Sequence, residues 1–388
     1  MNDLELKALR VSVADNITRN MEATDGFSLI RLGDGEVYWA LSAQEGKAPP
    51  KYRYFKDEAT GVESATSTSG METRHWPRFK AALEHATYLD LCNSIPFVNE
   101  NMEKLNFTPD PDQLKNSSAD SSNIIFFWVH RHFRKYLTRH RCLIVSSECS
   151  LLSCLLEDQV FRDISDDFFT PDNIGNLHLM QTLDDGRNYS ENLDEIKGQI
   201  RSYVAENDIH TVFISLATGA KILCYELGVE TGKRYMDFGS VVRAFTYSGA
   251  PGYQTNRSLH NPFFYRVPLQ VFERALSHLH LPEEPAKYLS RIQTQIALDL
   301  QPLKRFEYNA TDVLTGKLVW SRETASLLKD DLQLYRGYLK KIPGSPDIDR
   351  LDSEFRRWWL KKGFSVSGKL FLFAVKLKSI LRLFKLTK

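Results

Sequence analysis

Short β-branched and apolar runs recur along the chain at Ser28 to Arg31, Thr87 to Cys92, Cys142 to Val145, Leu177 to Leu179, Thr211 to Leu216 and Arg234 to Phe238. The segments between them are long enough for helices, and this alternation predicts an α/β fold. The expected form is Rossmann-like, a largely parallel sheet flanked by helices. Its clearest unit begins at Thr211 to Leu216 (TVFISL), which has the continuous apolar character of a buried parallel strand. Ala217, Thr218 and Gly219 break that run. Ala220 to Glu230 then reads as a helix with a packing face of Ile222, Leu223, Leu227 and Val229, and Gly232 is placed to end it before the strand at Arg234 to Phe238. The result is a β-α-β crossover.

Other stretches lack that regularity. Ala48 to Met71, rich in Pro, Lys, Thr, Ser and Gly, reads as a mobile loop that would suit a lid, and Asn106 to Asn123 reads as a polar surface loop. Phe126 to Arg141 (FFWVHRHFRKYLTRHR) reads as a helix burying Phe127, Val129, Phe133 and Leu137. Its arginines suit either a solvated face or an anion, with Arg131 or Arg134 reaching it. Beyond Pro268 the pattern turns helical, as at Leu269 to Leu279 and Pro285 to Leu298. From Arg356 to Lys388 the chain carries many Lys and Arg, no acid, and interleaved aromatics such as Trp358, Trp359 and Phe364. The expected organisation is a catalytic domain over 1–267, a C-terminal helical extension over 268–355 and a basic amphipathic tail over 356–388. That tail fits an anionic membrane surface or a helix packed on protein.

Composition narrows the class. The 388 residues carry 50 Lys and Arg against 49 Asp and Glu, a net charge of +1, so no nucleic-acid partner is expected. Five cysteines (Cys92, Cys142, Cys149, Cys154 and Cys224) form no C-x-x-C pair, which argues against a zinc knuckle or a disulfide framework. Cys149 reads as packing rather than as a nucleophile. The amino terminus, MNDLELKALR, has no secretory pattern and no apolar run is long enough to span a bilayer. A cytoplasmic enzyme, peripheral at the inner face of the cell membrane, is the expectation.

The chemistry concentrates at Phe27 to Leu41, FSLIRLGDGEVYWAL, where a strand runs into Gly33, Asp34, Gly35 and Glu36 before a helix. Two carboxylates at a strand's carboxyl end suit Mg²⁺ or Mn²⁺, ions commonly held by one or two protein acids together with a substrate's phosphates. The competing reading is an ordinary Gly-Asp-Gly turn with Glu36 favouring the positive end of the helix. A dinucleotide fingerprint is excluded, since Tyr38 stands where its third glycine would fall. In the crossover unit, the turn at Thr218 and Gly219 would offer backbone N–H groups to a phosphate, Lys221 a charge, and Asp237 an acid at the next strand end. A purely structural crossover is the alternative.

The run Arg31, Leu32, Gly33, Asp34, Gly35, Glu36 resembles the signature of the GT-D glycosyltransferases. The block Thr211 to Val241 is similar to that family's later strand, small-residue turn, helix and Asp-x-Gly strand end. Weaker similarity lies at Cys142 to Ser150 and at Asn188 to Ile196, and the whole covers residues 10 to 250. His130 departs from the family's Thr-Arg pair. The resemblance implies a metal-assisted transferase that moves a sugar from a nucleotide-diphosphate donor to a glycan acceptor, lipid-linked at the cell surface. Asp34 and Glu36 would hold the Mn²⁺ or Mg²⁺ ion. Arg31, Gly33, Gly35, Thr218, Gly219 and Lys221 would contact the donor's phosphates, and Asn188 and Asp237 its nucleoside or sugar. Glu148, just past a strand end, is the candidate general base. A nucleotide-sugar or glycan-binding scaffold without catalysis is the alternative, and a phosphoglycosyl or nucleotidyl transferase a third.

Overall fold

The computed structural model describes residues 3–47, 53–56, 63–65, 71–91, 96–116, 124–166, 168–182, 190–246, 271, 274–275 and 277. The chain divides into two compact units, one of residues 8–254 with 267–295 and the other of 1–7, 255–266 and 296–388. The described residues lie in the first apart from the start of the first helix. Of the C-terminal extension, only Val271, Arg274, Ala275 and Ser277 are described, the first three helical, and the tail over 356–388 lies outside the described residues.

Nine strands are described: β1 (Ser28–Leu32), β2 (Arg53–Lys56), β3 (Glu63–Ala65), β4 (Tyr88–Leu91), β5 (Leu114–Asn116), β6 (Cys142–Ser146), β7 (Leu177–Gln181), β8 (Thr211–Ser215) and β9 (Arg234–Asp237). Seven of them form one sheet in the order β5-β4-β1-β9-β8-β6-β7, and every pairing in it is parallel. All six predicted strands are in it, and the fold is the expected Rossmann-like α/β arrangement. Cys92, the predicted end of β4, lies outside the described residues.

The helices are α1 (Asp3–Ala23), α2 (Asp34–Ala43), α3 (Trp76–His85), α4 (Pro96–Asn101), α5 (Ile124–Trp128), α6 (Arg134–Arg139), α7 (Cys149–Glu157), α8 (Gln159–Ile164), α9 (Leu193–Glu206), α10 (Ala217–Thr231) and α11 (Val241–Thr246). They cover both faces because strand side chains alternate. On one face, Ile30, Leu32, Val145, Val212, Ile214 and Tyr235 join Trp39, Phe79, Ile200 and Leu223 of α2, α3, α9 and α10 in one core. On the other, Phe213 meets Trp128 at 5.8 Å, Phe133 at 5.7 Å and Phe238 at 4.7 Å between ring centroids. Each fully buried side chain of this size contributes roughly 1.5–3 kcal/mol, so the two cores dominate the stability.

Two loop expectations are corrected. Within Ala48 to Met71, β2 and β3 pair as an antiparallel hairpin, and within Asn106 to Asn123, β5 adds an edge strand beside β4. β3 (Glu-Ser-Ala) and β5 (Leu-Lys-Asn) are too short and polar to mark a strand, and only Tyr54 and Phe55 of β2 favour one; pairing with neighbouring backbone completes them. The basic helix forms, but with a π turn at Val129–Phe133 between α5 and α6. Val129, Phe133 and Leu137 are buried as expected, joined by Ile125, Trp128 and Tyr136, while Phe127 is half-buried. Its charges face α1: Arg131 binds the Asp15 carboxylate at 2.8 and 3.1 Å, and Arg139 binds Glu22 at 2.8 Å. The anion that Arg131 meets is therefore part of the same fold.

Helix α10 is held unusually close to β1. A Cβ on Gly228 would lie 2.9 Å from the Gly26 carbonyl oxygen, and the Gly26 N–H donates to the Gly232 carbonyl at 2.8 Å. Gly232 ends the helix with φ +67°, a left-handed cap that glycine adopts without steric cost. This approach fixes the depth at which α10 sets its first two turns over the carboxyl ends of β1 and β9.

Candidate active site

Because the seven strands are parallel, the ends of β1, β4, β6, β8 and β9 open on one edge, where open α/β sheets hold ligands. The segment read as a turn after β1 is the first turn of α2: Gly33 is the N-cap, Asp34 the first helical residue and Glu36 the third. Glu36 Oε2 accepts the Gly33 N–H at 3.2 Å, the acidic half of a capping box. A Cβ on Gly33 would lie 2.9 Å from that oxygen, so the glycine gives Glu36 its space. Gly35 is buried in the same turn.

Helix α10 likewise starts earlier than predicted, at Ala217, which places Thr218 and Gly219 in its first turn. Ala217 has φ +47°, a left-handed conformation that costs an alanine about 1 kcal/mol. The first N–H groups of such a helix have no intrahelical partner, and they carry the positive end of its dipole. Thr218 is fully buried, and its Oγ1 and the Ser215 Oγ have no hydrogen-bond partner among the described residues.

Lys221, one turn further on, joins the two sequence blocks. Its Nζ donates to Glu36 Oε1 at 2.8 Å and to the Ala217 carbonyl at 3.1 Å, and stands 3.1 Å from Asp237 Oδ2. Arg31 Nε approaches the same Asp237 oxygen at 3.5 Å. Burial by itself would discharge Lys221, but Asp237 and Glu36 outweigh it and hold the ammonium above its ordinary pKa. Burial likewise acts to raise the Asp237 carboxyl, and Lys221 and Arg31 overcome it, keeping Asp237 below the usual carboxylate range. Removing one member of such a buried set leaves its partners uncompensated, a cost of about 3–5 kcal/mol.

Asp237 is completely enclosed. Its Oδ1 accepts the Gly239 N–H at 3.0 Å, which explains the Asp-x-Gly spacing. Gly239 has φ +54°, and a Cβ there would fall 1.8 Å from Arg31 Nη2, so both the turn and the guanidinium require glycine.

Asp34 differs from these paired groups. Its Oδ2 is buried without a hydrogen-bond partner among the described residues. Burial, with the nearby Glu36 charge adding to it, lifts its carboxyl to about 6. Such a group suits a cation ligand, because a dication reverses the field that raises it. Among the described residues no three His, Cys, Asp or Glu side chains gather as a metal cage, and an ion shared with substrate phosphates needs none. The fit rests on Asp34, since the two Glu36 oxygens already meet Lys221 and the Gly33 N–H.

Glu148 lies at the same edge, buried, at the N-cap of α7 after β6, and its N–H donates to Ser146 Oγ at 3.2 Å. Asn188 lies outside the described residues. Cys149 is buried and its thiol donates to the Ile144 carbonyl at 3.3 Å, a packed position. The cysteines Cys142, Cys149, Cys154 and Cys224 are free thiols. Two residues at this edge escaped the sequence reading. Asp90, completely buried on β4, stands in register with Arg31, and Ser215 ends β8. An acid inside the apolar run Tyr-Leu-Asp-Leu was the available signal for Asp90; nothing marked Ser215.

The fold and this edge define a parallel α/β protein whose first and last sheet blocks converge on one cluster of acids and bases. A family model for the GT-D fold-like domain matches residues 9–245, more than half of the chain, and the chain belongs to that family. It therefore carries a glycosyltransferase-related fold. No curated protein and no solved structure shows a significant match to it.

Proposed function

We propose that this protein is a glycosyltransferase that takes a sugar from a nucleotide-diphosphate donor, assisted by Mg²⁺ or Mn²⁺, and passes it to a glycan acceptor carried on lipid at the membrane's inner face. The observation that carries the reading is the meeting of the two blocks: α10 delivers Lys221 to within 2.8 Å of Glu36 on α2. The amino turn of α10 and the carboxylate of Asp34 consequently share one edge of the sheet.

In this reading Asp34 Oδ2 is the protein ligand for the divalent ion, whose contribution when bound is to offset charge on the departing nucleoside diphosphate. The N–H groups at Ala217, Thr218 and Gly219 receive phosphate oxygens, with the helix dipole directed at the same charge. Gly33, which leaves room for the Glu36 carboxylate, and Gly35 are assigned to the donor's phosphates. Asp237 and Glu36 act behind the surface, fixing Lys221 and Arg31 and thereby the spacing of α2 and α10. Asn188 is assigned to the nucleoside or sugar. Glu148 accepts the proton of the attacking hydroxyl. The basic tail over 356–388 brings the enzyme to anionic lipid, where its acceptor resides.

Mass-spectrometric detection of product from a panel of nucleotide sugars and lipid-linked acceptors tests the assignment. Asp34→Asn should lower transfer by roughly 10²–10³-fold with an unchanged circular dichroism spectrum. Undiminished turnover in that variant at matched metal contradicts the role of Asp34. Absence of any product, or of nucleotide released from the donors, contradicts the transferase itself.

A further inference from the structure

The partners of Lys221 link the two motif blocks: its ammonium donates to Glu36 and to the Ala217 carbonyl and forms an ion pair with Asp237. An ammonium has three protons, and three oxygens surround it: Glu36 Oε1 at 2.8 Å, Ala217 O at 3.1 Å and Asp237 Oδ2 at 3.1 Å. Its side chain is 4% exposed. With oxygens on three sides and so little exposure, the ammonium is turned toward the protein and not toward a phosphate. Lys221 therefore acts on other protein groups.

Its effect on Glu36 is specific. With Oε1 on Lys221 and Oε2 on the Gly33 N–H, the Glu36 carboxylate faces inward and is 9% exposed. Lys221 and Arg31 face Glu36 and Asp237, and among the described residues no cation is paired with Asp34. A single carboxylate is a poor site for a dication, which dehydrates reluctantly and takes its remaining ligands from phosphate.

We propose that Lys221 is a positioning residue that reserves Glu36, so that Asp34 alone receives the divalent ion and does so only together with a nucleoside diphosphate. This rests on the donor reading above and adds an order to it: cation and diphosphate arrive as one complex, and the protein without nucleotide holds the ion weakly. Lys221 sets that order by taking the coordination position Glu36 would otherwise offer.

Equilibrium dialysis of the full-length protein, stripped of metal and challenged with Mn²⁺ alone or with Mn²⁺ plus uridine, guanosine or thymidine diphosphate, tests this. One of the diphosphates should raise Mn²⁺ retention at least tenfold, with metal and nucleotide held in equal amounts. Lys221→Gln should free Glu36 and tighten Mn²⁺ binding without nucleotide at least fivefold, whereas Lys221→Arg keeps the wild-type pattern. A folded Lys221→Gln protein with unchanged Mn²⁺ affinity overturns the inference. Should Lys221→Gln not fold, Glu36→Gln decides, because it keeps Lys221 paired with Asp237. Retention of the ternary complex within about threefold of wild type supports the inference, and its loss overturns it. Tight Mn²⁺ binding by the wild type without nucleotide, abolished by Glu36→Gln, overturns the inference and leaves the donor reading standing. Retention of neither metal nor nucleotide under any condition defeats both.

Discussion

Gly239 shows how much of the site depends on a missing side chain. Its left-handed backbone lets the Asp237 carboxylate close a turn on its N–H, and its bare Cα admits the Arg31 guanidinium. Gly239→Ala pays for both, so thermal or urea unfolding should show a loss of about 2–3 kcal/mol. Donor turnover should fall with it as Arg31 is displaced; an alanine variant with unchanged stability would mean that the guanidinium does not occupy this place. Residues with chemistry in their spacing were legible from sequence. The Arg31 to Glu36 run and the Asp237-x-Gly239 pair stand out because acids beside glycines at the carboxyl end of a strand suit a cation or a phosphate as well as a turn. The ion pairs among them were not, since Lys221 lies 185 positions from Glu36. A lysine after a small-residue turn looks the same whether it faces a phosphate or a buried carboxylate.

Elements followed the same rule: those with strong periodicity were readable and those formed by neighbours were not. The strands from Cys142, Thr211 and Arg234 are apolar enough to declare themselves, whereas β5 and the β2–β3 hairpin exist because backbone beside them needs partners. The boundaries of α2 and α10 were misjudged for a related reason. Gly-Asp-Gly and Ala-Thr-Gly suggest turns, yet each is a first helical turn, capped by Glu36 in one case and opening on the strained Ala217 after the N-cap Leu216 in the other. At the opposite edge of the sheet, α6 and the start of β8 set His140 and His210 in a stack with ring centroids 4.0 Å apart. Burial, then the His140, Arg234 and Lys233 charges, push His210 down to about 4, against a smaller upward pull from Asp208. A histidine depressed in the fold binds fewer protons there than when unfolded. Its contribution is therefore complete above pH 6.5 and is lost as pH falls toward 4. After solvent screening, stability should drop on the order of 1–2 kcal/mol across that window. His210→Gln should flatten the slope of Tm against pH; an unaltered slope would place the titration elsewhere.

At the scale of the whole molecule, the parallel sheet was predictable from the regular return of apolar runs, and the family match over residues 9–245 agrees with it. No helix among the described residues is long and apolar enough to cross a membrane. The proposed attachment rests instead on the composition of the acid-free tail, where each Lys or Arg near anionic lipid contributes on the order of 1 kcal/mol. Deleting residues 364–388 should abolish sedimentation with anionic vesicles while leaving release of nucleotide from soluble donors unchanged. Vesicle binding that survives the deletion would move the membrane contact to another part of the chain. The central claim is that Asp34 and the amino turn of α10 hold one diphosphate between them. A crystal structure of the protein soaked with Mn²⁺ and the nucleoside diphosphate it retains tests this most directly. The account predicts the metal on Asp34 Oδ2 and phosphate oxygens on the N–H groups of residues 217–219. A diphosphate bound away from the β1 and β8 strand ends, or a metal held without Asp34, would contradict it.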